Sequence, residues 1–190
     1  MEKLSKNQVI LQLILRTKAK AVAEIGVYRG KLIEYVFKSK AARAQIEEYH
    51  AIDSYPKDMI KCCKALKKVP PDDVYNALKG WLESRNYIDW KVKFIRKDSS
   101  IASLDYIDEY FDLVFIDADH RREGFTADIR AWFPKVKVGG ILCGHDYGNP
   151  YWPVKEIVDE IFGDEVKIWK PFFVWATRKL EDGNHSRTLQ

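Results

Sequence analysis

The chain has 190 residues, 46% of them hydrophobic and 32% charged, and its 32 lysines and arginines against 28 acids leave a net charge of +4. That balance excludes wholesale disorder, and the mild, interspersed charge gives no stripe for a nucleic-acid backbone. No apolar run reaches the roughly 20 residues of a membrane span, and Cys62, Cys63 and Cys143 form neither a disulfide framework nor a metal-ligand spacing.

The N-terminal stretch carries an acid near its start and no small-residue cleavage site, so a reducing, cytoplasmic setting is expected rather than a secretory one. Residues 5–16 read as a helix with a wide apolar stripe, capped by Ser5. The run AVAEIG (21–26) is a short buried strand ending in glycine, and 31–40 presents Leu32, Val36 and Phe37 as a helix. A second strand is expected at 47–52, ending at Asp53. Residues 57–87 follow as a helical insertion broken at Pro70-Pro71, where Asp72 is placed to cap the next helix. This insertion reads either as a lid over an acceptor pocket or as a homodimer surface.

The alternating WKVKFI (90–95) fits a third strand, and 100–110 has a helical pattern. FDLVFI (111–116) is a central strand, followed by a helix at 125–133 that Pro134 stops. GGILCGHDY (139–147) is a fifth strand opening into a loop, and 154–162 is a helix with Pro153 at its first turn. VKIWK and FFVWATRK, separated by Pro171, form an antiparallel tail hairpin, and residues 184–190 are a polar tail. Roughly seven strands alternating with helices indicate an α/β domain over 1–183, with a largely parallel sheet covered on both faces. Ligands of such sheets sit beyond the carboxyl ends of the strands.

Three of those ends describe a cofactor. Glu24, Gly26, Tyr28 and Gly30 form a strand-to-helix turn with two glycines but a bulky tyrosine where the dinucleotide fingerprint requires a third, which counts against NAD. Glu24 would repel a diphosphate and hold an ammonium group. Asp53, with Ser54 beside it, can accept hydrogen bonds from ribose hydroxyls, and Asp98-Ser99 can face a base. Each signal alone is also explained by turn glycines and capping acids; their placement on three successive strand ends is what the plain reading explains poorly. Together they resemble the class I S-adenosylmethionine-dependent methyltransferases, in which an acidic-x-Gly-x-x-x-Gly loop holds the amino acid part of the cofactor. The resemblance runs over 19–179 and implies a Rossmann-like fold with an antiparallel C-terminal strand.

The other two ends describe a reaction. Asp117-Ala118-Asp119-His120 follows the fourth strand, and His145-Asp146 with Asn149 follows the fifth. If neighbouring strands bring them together, two carboxylates meet and either share a proton or bind a cation. The alternative is that these acids make local turns and Asp119 caps a helix. The layout resembles the small metal-assisted O-methyltransferases that act on sugars of natural products and glycans. That resemblance implies Asp117, His145 and Asp146 as ligands of Mg²⁺ or Mn²⁺, Asp117 also bordering the cofactor. It further implies His120 as general base, with Asp119 beside it, and a small-molecule or glycan hydroxyl as acceptor. His145 departs from that pattern, since an oxygen ligand is commoner there. Asn149-Pro150-Tyr151-Trp152 superficially matches a motif of amino-nitrogen methyltransferases but follows the wrong strand. A nucleic-acid methyltransferase stacking bases on Trp81, Trp90, Trp152 and Trp169, a nicotinamide-dependent oxidoreductase and a non-catalytic binding protein are the competing readings.

Overall fold

A computed structural model describes residues 4–56, 69–87, 91–170 and 173–181. Among them, β1 (Ala21–Ile25), β2 (Glu48–Asp53), β3 (Val92–Arg96), β4 (Phe111–Ile116), β5 (Val136–Gly144), β6 (Lys167–Trp169) and β7 (Val174–Arg178) form one sheet, ordered β3-β2-β1-β4-β5-β7-β6. Every neighbouring pair is parallel except those of β7, which runs antiparallel to both β5 and β6. The expected mostly parallel, Rossmann-like sheet with a reversed C-terminal strand is the sheet observed.

Period-two alternation assigns the helices to faces. Leu113 and Phe115 of β4 join the core beneath α1 (Lys6–Arg16), α2 (Lys31–Lys38), α3 (Lys40–Gln45) and α4 (Pro71–Ser84). Val114 and Ile116 turn to the opposite core, under α5 (Ser99–Ser103), α6 (Arg122–Trp132) and α7 (Val154–Phe162). Burial on both faces is why this strand reads as a continuous apolar run rather than an alternating one. No helix among the described residues is long and apolar enough to cross a membrane.

Local chemistry moves several boundaries. The helix expected over 31–40 ends at Lys38, because the Ser39 Oγ accepts from the Ala42 N–H and starts the separate helix α3. The helix expected over 100–110 closes after Ser103. Tyr106 turns inward, its hydroxyl 2.7 Å from His50 Nδ1, and leaves Leu104 and Ile107 in solvent. Asp72 does not cap α4: Pro70 holds the N-cap position and Pro71 the first turn, while Asp72 pairs with Arg96. Helix α6 starts at Arg122 rather than 125, and β5 begins at Val136, three residues before the expected glycines. The first part of the insertion (57–68), Cys62, Cys63, Trp90, Pro171 and the tail 184–190 lie outside the described residues.

From β1 the sheet grows through β2 and β3 on one side and through β4 and β5 on the other, so the crevice between β1 and β4 lies at the topological switch point. The chain closes tightly there. Gly26 donates its N–H to the Ile52 carbonyl (2.9 Å), and Asp117 donates its own to the Ile25 carbonyl (2.8 Å). Gly26 has φ +90°, and a Cβ on it would fall 2.3 Å from the Asp117 carbonyl oxygen and 2.7 Å from the Ala118 Cα. Gly30 also has a positive φ (+67°), but a Cβ there would meet only the flexible Leu78 side chain.

Gly26→Ala is therefore expected to destabilise the fold by more than about 3 kcal/mol, because neither strain nor backbone overlap can relax, whereas Gly30→Ala costs about 1 kcal/mol. Thermal unfolding of the two variants checks this; equal losses would show that backbone crowding is not what requires Gly26.

Candidate active site

The cofactor end is built by β1, β2 and the turn between β1 and α2. Asp53, only 6% exposed, spends its carboxylate on backbone: Oδ2 accepts from the Val27 and Tyr28 N–H groups (3.0 and 2.9 Å), and Oδ1 from the Tyr55 N–H (2.8 Å). Burial pushes its pKa up, against these three donors. Tyr28 sits at φ +49°, and its carbonyl accepts from the Tyr55 hydroxyl (2.7 Å), so the bulky residue at the turn's centre is pinned. Ser54 beside this acid is exposed. Glu24 is buried and accepts from the Tyr49 hydroxyl at 2.6 Å. Burial raises its pKa to about 8, opposed by Tyr49 and the Lys6 charge, so at neutral pH it is a neutral acid. Asp98 caps α5, accepting from the Ile101 N–H (3.2 Å), and Ser99 Oγ accepts from Trp132 Nε1 (2.8 Å).

At the reaction end, neighbouring β4 and β5 bring Asp117 and Asp146 together. His120 Nε2 lies 2.9 Å from Asp146 Oδ2 and 3.4 Å from Asp117 Oδ1. His145 Nδ1 lies 3.0 Å from the same Asp146 oxygen and 3.8 Å from the same Asp117 oxygen. Asp146 is held at φ +61°, a conformation Asp tolerates better than most residues, and its Oδ1 accepts from Asn149 Nδ2 (2.8 Å). Burial opposes its charge, but hydrogen bonds from His120, His145 and Asn149 keep it well below the usual carboxylate range. Burial likewise opposes the imidazolium of His120, yet bonds to Asp117 and Asp146 raise its pKa to about 9. The Trp152 ring lies 5.8 Å from that imidazole.

Asp117, His120 and Asp146 each offer an atom within 4.8 Å of the others'. A set of carboxylate oxygens and imidazole nitrogens so spaced fits a divalent cation, Mn²⁺ better than Mg²⁺. The geometry thus brings His120, and not His145 alone, into the set able to ligate. Asp119 stands apart: Oδ1 accepts from the Arg121 N–H (2.9 Å) and Oδ2 pairs with its guanidinium (2.6 Å). The Asn-Pro-Tyr-Trp stretch serves locally, through Asn149 on Asp146 and Trp152 beside His120.

Sequence reasoning missed two residues. Tyr49 holds Glu24, and Lys6 of α1 places its ammonium 2.5 Å from Asp117 Oδ2. A lysine in the first helical turn, with no acid in that turn, faces the positive end of the helix dipole and was the available signal.

Residues 23–147, more than half of the chain, match the family model described as a methyltransferase domain. No curated protein matches the sequence. Among solved structures, the S-adenosylhomocysteine-bound methyltransferase PaMTH1 of Podospora anserina is similar at TM-score 0.65 and 17% identity, over 96% of this chain and 80% of that one. CalS11, a TDP-rhamnose 3'-O-methyltransferase of calicheamicin biosynthesis, is similar at TM-score 0.60 and 13% identity, over 90% and 77%. A Geobacter sulfurreducens methyltransferase gives TM-score 0.61 at 11% identity, over 95% and 81%. With the glycine turn at the switch point and an acid at each neighbouring strand end, the chain belongs to the methyltransferase-domain family and is a class I S-adenosylmethionine-dependent methyltransferase.

Proposed function

We propose that the protein transfers the methyl group of S-adenosylmethionine to a hydroxyl of a sugar or another small diol. The convergence of Asp117, Asp146, His120 and His145 in front of β4 and β5 carries this reading. Support comes also from the sugar O-methyltransferase CalS11 among the similar folds. On this reading Glu24, Gly26, Tyr28 and Gly30 seat the amino acid part of the cofactor, Asp53 and Ser54 the ribose, and Asp98 and Ser99 the adenine.

Methyl transfer from a sulfonium is an in-line displacement, so the chain's main task is to hold the acceptor oxygen along the C–S axis while its proton leaves. The C–O bond forms as the C–S bond breaks, and the hydroxyl proton goes to His120 Nε2. In the resting cluster the two carboxylates favour the protonated form of His120, so it takes the hydroxyl proton only after releasing its own to solvent. Asp117 and Asp146, with His145 as nitrogen donor, would hold a divalent cation, which when bound would supply positive charge beside the acceptor oxygen and lower its pKa, while His120 Nε2 stays off the cation to take the proton. The Trp152 ring limits the directions in which the His120 imidazole can turn.

Incubation with S-adenosylmethionine, Mn²⁺ and a panel of nucleotide sugars and catechol-like diols, read by mass spectrometry, tests the reading. An O-methylated product is expected, with Asp117→Asn and Asp146→Asn each slowing turnover about 100-fold or more. Full activity in thoroughly chelated enzyme, or methylation of amines only, would overturn it.

Glu24 gives a second test. Unfolded, it loses its proton near the ordinary value of 4.5; folded and free of cofactor, it keeps it to about 8. The unfolded chain therefore binds fewer protons in this window, and the stability Glu24 contributes falls as pH rises from 4.5 to 8, by on the order of 4 kcal/mol. Glu24→Gln is expected to flatten that decline in melting temperature and to be more stable than wild type at pH 8. It should also bind S-adenosylhomocysteine at least tenfold more weakly there, because the ammonium loses its carboxylate. A variant no more stable at pH 8, or binding unchanged, contradicts the assignment.

A further inference from the structure

The contact between Lys6 and Asp117 spans 111 residues and joins the first turn of α1 to the end of β4. Lys6 stands where a helix least favours a cation, directly after the Ser5 N-cap and with no acid in the same turn. Its ammonium is half-buried, 5.8 Å from the centre of the Phe115 ring, and interacts with Glu24 and Asp146 as well as Asp117. Surface lysines at helix starts extend into water; this one is turned inward to the point where the cofactor end meets the reaction end.

The contact divides Asp117 in two. Oδ2 is taken by Lys6, while Oδ1 is the oxygen that faces His120 and His145. A carboxylate with one oxygen anchored has one rotamer, so Lys6 decides which oxygen the cluster receives. It also supplies a positive charge that any arriving cation must share the carboxylate with. Removing Lys6 frees a side chain of two torsions but also removes that charge, and across one carboxylate the charge effect is the larger.

We propose that Lys6 is a positioning residue for the acid cluster: it clamps Asp117 through Oδ2, presents Oδ1 to the histidines, and competes as a resident cation with a divalent ion for that carboxylate. The proposal rests on the metal-assisted reading of the site. It makes the start of α1 responsive to occupancy of the cluster, since a cation drawing on Asp117 weakens the link that holds the helix end.

The test is calorimetric titration of Mn²⁺ into the full chain, with neither cofactor nor acceptor present. Lys6→Met is expected to bind Mn²⁺ at least tenfold more tightly than wild type, and Lys6→Arg, which keeps the charge, to stay within a fewfold of it. In wild type, Mn²⁺ should accelerate hydrogen exchange in the first turn of α1; in Lys6→Met that exchange should be fast already and indifferent to metal. Equal affinity in wild type and Lys6→Met, with a lowered melting temperature in the variant, would make Lys6 a structural tether and overturn the proposal while the metal reading stands. Absence of Mn²⁺ binding in every form would defeat that reading and the proposal with it.

Discussion

Where β1 and β4 end, two backbones touch with no side chain between them, and the position of every other group in the site follows from that contact. Gly26 lies against the Asp117 carbonyl and the Ala118 Cα closely enough that a single methyl group would part them. The two strands are neighbours in the sheet although 85 residues lie between the end of β1 and the start of β4, and the chain leaves them toward opposite halves of the sheet. That divergence opens the crevice. Asp53 then ties a third strand end into the same turn through its buried carboxylate on the Val27 and Tyr28 amides, so the turn and the end of β4 are fixed relative to one another by close backbone contact and a buried side chain. Transfer between two bound molecules depends on such fixed separation, because small displacements along the reacting axis are costly.

Charge is distributed over this frame unevenly. Glu24 is as deeply buried as any acid among the described residues, and with a tyrosine hydroxyl as its hydrogen-bond partner its pKa rises to about 8. Asp117 and Asp146 are also withdrawn from water, but each has a cationic or imidazole partner and stays ionised. Neighbouring strand ends therefore hold one carboxyl whose proton is favoured by burial and two whose charge is favoured by their partners. Environment, not residue type, separates these tasks. The same principle separates Asp117 from Asp119: the first points to the cluster, and the second, two residues on, is spent on Arg121.

The strands were legible because their signal is local. FDLVFI and AVAEIG are buried on both faces and announce it as apolar stretches broken by a single acid each, Asp112 and Glu24. Convergence of Asp117 with Asp146 needed only the rule that successive parallel strands often adjoin. What escaped depends on distant partners or on a single competing side chain. Nothing near Lys6 names Asp117 as its partner, nothing near Tyr49 announces that its hydroxyl will serve Glu24, and the pattern over 100–110 yields to one tyrosine drawn inward by His50. The separate α3 hinges on one serine hydroxyl next to the end of the helix read over 31–40. The choice of His120 or His145 as ligand could not be read either, since both imidazoles approach the same two oxygens.

The proposed hydroxyl acceptor rests on what the cluster has to offer. An amine becomes a sufficient nucleophile once it sheds a single proton to water, and a site for it needs hydrogen-bond acceptors for the nitrogen more than it needs a base. A hydroxyl is the harder case: it is a weak nucleophile until its proton is drawn away, and the proton must go somewhere nearby as the methyl group arrives. Two carboxylates and two imidazoles gathered within a few ångströms answer that need, and they are a costly arrangement to bury for an acceptor that does not require it.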